Sequence, residues 1–228
     1  MIYAVLRWTM RFITRGYLLG LFQVRGRERV PRRGPLIVCP NHSGTIDPPM
    51  VPAFLPRGDS WNMAKSEYFA RGRLTALIFT AYHSFPVVRH TADRTALRRA
   101  FDVLKAGGTL VIYPEGTRVE GGRLRRPEPG AGFIALRSAV PVQPVALVGT
   151  PECLPRGARW PRRVPVSVTF GEPFRLAGRR PDGSRVSHQE AADAIMLRIA
   201  ELLPPAKRGE FADLDSERAR LQDLYLPA

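Results

Sequence analysis

Two short segments of this chain are apolar almost without interruption: Leu36-Ile37-Val38-Cys39 and Thr109-Leu110-Val111-Ile112-Tyr113. A strand with one wet face alternates apolar and polar residues. A run that does not alternate must be covered on both faces, which is the condition of a parallel strand held between helices. Parallel neighbours cannot be joined by tight turns, so each pair needs a crossover, usually helical. The expected fold class is therefore α/β: a single domain with a mostly parallel central sheet flanked by helices. At 228 residues the chain is long enough to bury a substantial core.

Each run ends in a polar loop, at the carboxyl end of its strand, where open α/β sheets place their ligands. The first loop is Asn41-His42-Ser43-Gly44-Thr45-Ile46-Asp47-Pro48. An imidazole is the side chain suited to take a proton from an alcohol near neutral pH, and a nearby carboxylate can fix its tautomer. His42 and Asp47 thus make half of a catalytic triad with no protein nucleophile beside it, so the nucleophile would be the substrate's own hydroxyl. A turn histidine bonded to an Asx-type turn is the plainer alternative. The second loop is Pro114-Glu115-Gly116-Thr117-Arg118. Gly116 permits a tight turn and close backbone approach to a ligand, and Arg118 carries a planar fork that matches phosphate oxygens. In a parallel sheet both loops open onto one edge.

The two loops, in this order, resemble the glycerolipid acyltransferase family, in particular the bacterial 1-acylglycerol-3-phosphate acyltransferases. Phe85-Pro86-Val87-Val88-Arg89 is similar to a further block of that family, Val140-Pro141-Val142-Gln143-Pro144-Val145 to another, and Met63-Ala64-Lys65-Ser66-Glu67 to a segment near its phosphate site. The likeness runs from about Val24 to about Phe174. Val119-Glu120 departs from it, where many members carry a small or basic residue. The resemblance implies an acyltransferase-like domain over residues 25–205. It implies acyl transfer from a thioester, acyl-CoA or an acyl carrier protein, to the free hydroxyl of a lysophospholipid, with no acyl-enzyme, no metal and no further cofactor. His42 is the expected base and Asp47 its orienting group. Lys65, Arg89 and Arg118 are the expected phosphate ligands, and Glu115, Gly116 and Thr117 a substrate-binding loop in which Glu115 holds Arg118 or the glycerol. Another lysolipid or glycerol 3-phosphate would serve as acceptor under the same chemistry.

The net charge is +15, almost all of it arginine, with Lys65, Lys105 and Lys207 the only lysines. Such a balance asks for an anionic partner: nucleic acid, an anionic membrane or a phosphorylated substrate. Nucleic-acid binding is disfavoured, since no reading motif appears and most aromatics lie in apolar runs. Arg125-Arg126 and Arg162-Arg163 read as solvated faces, or as contacts to lipid headgroups or to the donor's nucleotide phosphates. Two cysteines make no disulfide framework and suit a reduced, cytoplasmic setting.

Residues 1–24 are rich in large apolar side chains, interrupted by Arg7, Arg11 and Arg15 at a spacing that sets them on one helical stripe. Charges so placed spoil both a bilayer-crossing helix and a signal peptide. The expectation is an amphipathic helix lying in the membrane interface at the cytoplasmic face of the cell membrane, a peripheral or monotopic arrangement. Arg25, Arg27, Arg29, Arg32 and Arg33 follow and strengthen attraction to anionic lipid. A core-packing helix is the alternative.

Further along, Asp93 is expected to cap a helix ended by Gly107-Gly108, and Ser187 with Glu190 to form a capping box. Residues 119–130 read as a mobile loop, Pro144 marks an edge or bulge, Arg175–Val186 reads as loop, and residues 206–228 as a loosely attached polar tail.

Overall fold

The computed structural model describes residues 1–88, 91 and 93–228. Its strands are β1 (Phe22–Arg25), β2 (Leu36–Pro40), β3 (Ser60–Lys65), β4 (Ser84–Val87), β5 (Thr109–Val111), β6 (Val142–Val148), β7 (Val166–Phe170), β8 (Phe174–Leu176) and β9 (Tyr225–Pro227). They form one sheet in the order β1-β7-β6-β2-β5-β3-β4, with β8 joining β6 and β9 joining β8. From β4 through β3, β5 and β2 to β6 every pairing is parallel, in registers such as Leu36 with Thr109 and Ile37 with Val142. β7 and β8 return antiparallel to β6. The sheet is the mostly parallel one that the two unalternating runs demand.

The helices are α1 (Ile2–Tyr17), α2 (Asp47–Phe54), α3 (Ser66–Ala70), α4 (Arg73–Ala81), α5 (Arg94–Lys105), α6 (Gly130–Ser138), α7 (Thr150–Cys153), α8 (His188–Ala200) and α9 (Leu214–Leu221). Residues of β2 divide between two cores. Ile37 and Cys39 join the cluster built with α5, α6 and α8, whereas Leu36 and Val38 join the one built with α2 and β7. That division is why the run cannot alternate. The expected helix starts are present: the Asp93 carboxylate accepts from the Ala96 amide at 3.0 Å, and Ser187 and Glu190 form a reciprocal box at α8. α8 is buried along nearly its whole circumference, which its alanines permit by letting α6 approach closely. A Cβ at Gly132 would lie 2.1 Å from the His188 carbonyl oxygen.

Four expectations need correction. Residues 119–130 are tied down, not loose: the amide of Leu124 donates to Lys207 O, Glu210 N to Leu124 O and Glu128 N to Pro114 O, and the Leu124 side chain is buried. Pro144 lies in an interior strand. It is tolerated because it sits opposite Gly171, in the gap where β7 has ended and β8 has not begun, and its carbonyl still accepts from Gly171 N at 2.9 Å. The first two residues of the expected loop Arg175–Val186 are instead strand: β8 takes Arg175 and Leu176 into the sheet, where they pair with β9. Finally, residues 206–228 are integral: Phe211, Leu221 and Leu224 are wholly buried and β9 extends the sheet.

The arginine stripe of α1 also behaves differently from a headgroup-facing row. Arg7 is buried and donates from Nε to Pro52 O and from Nη2 to Leu55 O, each at 2.7 Å. Arg11 donates to Ala53 O and Leu55 O, and Arg27 to Phe54 O. These carbonyls close the carboxyl end of α2, where a helix leaves orphan acceptors and a negative dipole end. Turning Arg7 and Arg11 inward, while Arg15 stays exposed, leaves Ile2, Val5, Trp8, Phe12 and Ile13 outward, each more than half exposed. No helix among the described residues is long and apolar enough to cross a membrane.

Candidate active site

The carboxyl ends of the parallel strands share one edge, and the loop after each contributes to a single cavity of about 1430 Å³. Its volume exceeds the roughly 300–1,000 Å³ usual for one small ligand, so there is room for two substrates. Met63, Phe79, Leu97, Phe133 and Ile134 give it apolar walls, and His42, Lys65, Thr117 and Arg118 its polar ones.

His42 follows β2 after a single residue, Asn41. Its Nδ1 lies 3.0 Å from Asp47 Oδ2, and that oxygen also accepts from the amides of Ser43 at 2.8 Å and Gly44 at 2.7 Å. A carboxylate only accepts, so Nδ1 carries the proton and Nε2 keeps its lone pair for the cavity. Asp47 is fully buried at the first turn of α2, where the helix dipole favours negative charge. Gly44 is needed for this turn: a Cβ there would lie 2.6 Å from Thr150 Oγ1. The His42 carbonyl accepts from Val119 N at 2.9 Å, which stitches the two polar loops together.

Tyr113 packs its ring 4.3 Å from the His42 ring, tilted by 36°, and burial together with the charge of Asp47 raises its hydroxyl well above the usual tyrosine range. Sequence reasoning assigned Tyr113 only to a strand. Its one available signal was position, as the last residue of an apolar run before a polar loop.

Of the phosphate candidates, Lys65 and Arg118 line the cavity with His42. Lys65 ends β3 and pairs with Glu67 at 2.7 Å, holding that carboxyl down at about 2. Arg118 donates from Nη1 to Thr45 Oγ1 at 2.6 Å, so it reaches across to the His42 loop. Arg89 lies outside the described residues, beyond the end of β4. Gly116 and Thr117 line the cavity, and Gly116 takes φ of 69°, a conformation that suits glycine.

Glu115 is where the sequence expectation fails. It does not touch Arg118 and does not face the cavity. The side chain is 1% exposed, behind His42, with Oε2 accepting from the His42 amide at 3.4 Å. Arg125 donates to the Glu115 carbonyl oxygen at 2.7 Å. Burial lifts the Glu115 carboxyl to about 8, against the pull of the His42 amide and the Arg125 charge. It is a supporting group of the loop, largely protonated at neutral pH.

This arrangement can be set beside known proteins. A protein of Bacillus subtilis (strain 168), described as 1-acyl-sn-glycerol-3-phosphate acyltransferase, is 26% identical over 81% of this chain and 89% of its own length. A Limnanthes alba protein of the same description is 29% identical over 69% of this chain, which spans only 56% of that protein. The crystal structure of the 1-acyl-sn-glycerophosphate acyltransferase PlsC from Thermotoga maritima superposes with a TM-score of 0.67 at 24% identity, covering 88% of this chain and 79% of that one, and so shares the fold. The model of the Acyltransferase family matches residues 21–148. That span holds β2, the His42–Asp47 pair, the Gly116–Arg118 loop and the strand after them, more than half of the molecule, and the chain belongs to the Acyltransferase family.

Proposed function

We propose that the protein transfers a fatty acyl group from a thioester to the free hydroxyl of 1-acyl-glycerol-3-phosphate, giving phosphatidic acid. One observation carries the reading: an Asp-oriented imidazole opens onto a cavity large enough for two substrates, with Arg118 and Lys65 among the residues that line it. Both relatives named above bear the name of that activity.

In this mechanism His42 Nε2 takes the acceptor hydroxyl's proton as the oxygen attacks the thioester carbonyl. The new C–O bond forms, the C–S bond breaks, and the departing thiolate recovers the proton from the imidazolium. Asp47 keeps the ring in the required tautomer and stabilises its charged form. Arg118, Lys65 and Arg89 hold the acceptor phosphate, and Gly116 and Thr117 let backbone approach it. Positioned base catalysis contributes about 10²–10⁴-fold, and holding both substrates together contributes more. α1 rests in the membrane interface at the cytoplasmic face with its outward apolar side chains in the lipid, which delivers a membrane-resident acceptor to the cavity. The outward exposure of Trp8 and Phe12 supports that orientation.

The test is thiol release from palmitoyl-CoA, or from a palmitoyl acyl carrier protein, with lysophosphatidic acid in liposomes. His42→Ala is expected to lose at least about 100-fold in rate with an unchanged melting curve. A fully active His42→Ala protein would overturn the mechanism.

A further inference from the structure

The loop after α7, residues 154–163, is unlike the rest of the surface. Trp160 is 82% exposed, more than any other tryptophan of the chain. Around it stand Arg159, Arg162 and Arg163, all exposed and without a carboxylate partner among the described residues. Elsewhere Arg29, Arg57, Arg126, Arg180, Arg198, Arg218 and Arg220 are each paired with a carboxylate. The loop is also held in place. The Arg162 amide donates to Cys153 O at 2.6 Å, and the Tyr17 hydroxyl to Pro161 O at 2.6 Å. Its root opens on the reaction cavity, since Pro151, Leu154 and Pro155 line it with His42 and Ser43.

A large exposed ring amid unpaired guanidinium groups suits a ligand with a flat π-face and several phosphates. A bilayer fits less well, because an interfacial element buries a broad apolar face, and this loop offers one exposed ring among Pro, Gly, Ala and Arg, its single leucine, Leu154, lining the cavity instead. The geometry points to the loop as the docking site for the nucleotide end of a coenzyme A thioester. The adenine stacks on Trp160, Arg159, Arg162 and Arg163 hold the phosphates, and the pantetheine arm runs past Pro155 and Pro151 to bring the thioester to His42. This assignment rests on the acyl-transfer reading and specifies its donor.

Two measurements separate its failure from failure of that reading. Binding of adenosine 3′,5′-bisphosphate to the His42→Ala protein needs no turnover. Saturable quenching of tryptophan fluorescence is expected, absent in the His42→Ala, Trp160→Ala protein. In steady-state assays, the preference in kcat/KM for palmitoyl-CoA over palmitoyl-N-acetylcysteamine is expected to fall about tenfold in Trp160→Ala, and at least as far when Arg162→Ala and Arg163→Ala are combined, through KM for the CoA donor. Undiminished preference, equal losses with both donors, a loss that tracks liposome binding, or use of an acyl carrier protein alone would overturn the assignment. Inactivity of the wild type with every donor would count against the acyl-transfer reading, while quenching that depends on Trp160 would still support the site.

Discussion

Replacing Glu115 by Gln isolates the energetic effect of a single buried carboxyl. Glu115 is 1% exposed, and burial raises its carboxyl from 4.5 to about 8. Between those values the folded chain retains a proton that the unfolded chain has released, so stability falls as pH rises. The stabilising effect is complete below 4.5 and lost by the time pH has passed through 8. Linkage converts the shift to about 5 kcal/mol in all, of which about 3 kcal/mol lies between pH 6 and 9. Gln has the shape of the protonated acid and cannot ionise. Urea denaturation of wild type and Glu115→Gln at intervals from pH 5 to 9 gives the difference between them, in which the titration of every other group cancels. Near-parity is expected at pH 5, with the Gln variant ahead by several kcal/mol at pH 9. A difference that stays flat across the range, or that runs in the wild type's favour as pH rises, would refute the claim that this carboxyl is desolvated.

Asp47→Asn should lower kcat by about 10²–10⁴-fold with little change in KM, because the His42 tautomer loses its director; steady-state kinetics with lysophosphatidic acid checks this, and a KM effect alone would contradict it. Arg7→Met should cost about 1–3 kcal/mol in urea denaturation, since it removes the side-chain donor to the carbonyl of Pro52 and leaves that of Leu55 with Arg11 alone. Trp8→Ser combined with Phe12→Ser should weaken sedimentation with anionic liposomes at least tenfold while leaving the melting temperature nearly unchanged, both side chains being largely exposed.

Much of this architecture is legible in the sequence because it is governed by local rules. Runs that fail to alternate fix β2 and β5, and side-chain caps fix the starts of α5 and α8. The His42–Asp47 pair is visible because both members lie within one turn of chain. What escapes reading depends on distant partners. The arginines of α1 meet carbonyls some forty-five residues away, and their inward orientation cannot be told from helical spacing, which fixes a stripe without saying which way it faces. β9 is three residues long and exists because β8 offers it an edge. Glu115 sits in a polar motif and reads as a ligand-facing group, whereas the fold turns it behind His42. Pro144 reads as an interruption because the gap between β7 and β8 that accommodates it is formed by residues much later in the chain.

Arg7 and Arg11 of α1 grip the last turn of α2, and Asp47 occupies the first. A rod of two turns therefore connects the amphipathic segment to the carboxylate that aims the imidazole. Shortening the gene to drop that segment, a common way to gain a tractable preparation, would fray the rod from its far end and misalign the base. The shortened protein should be poorly active even on dispersed monomeric acceptor, where no bilayer is required.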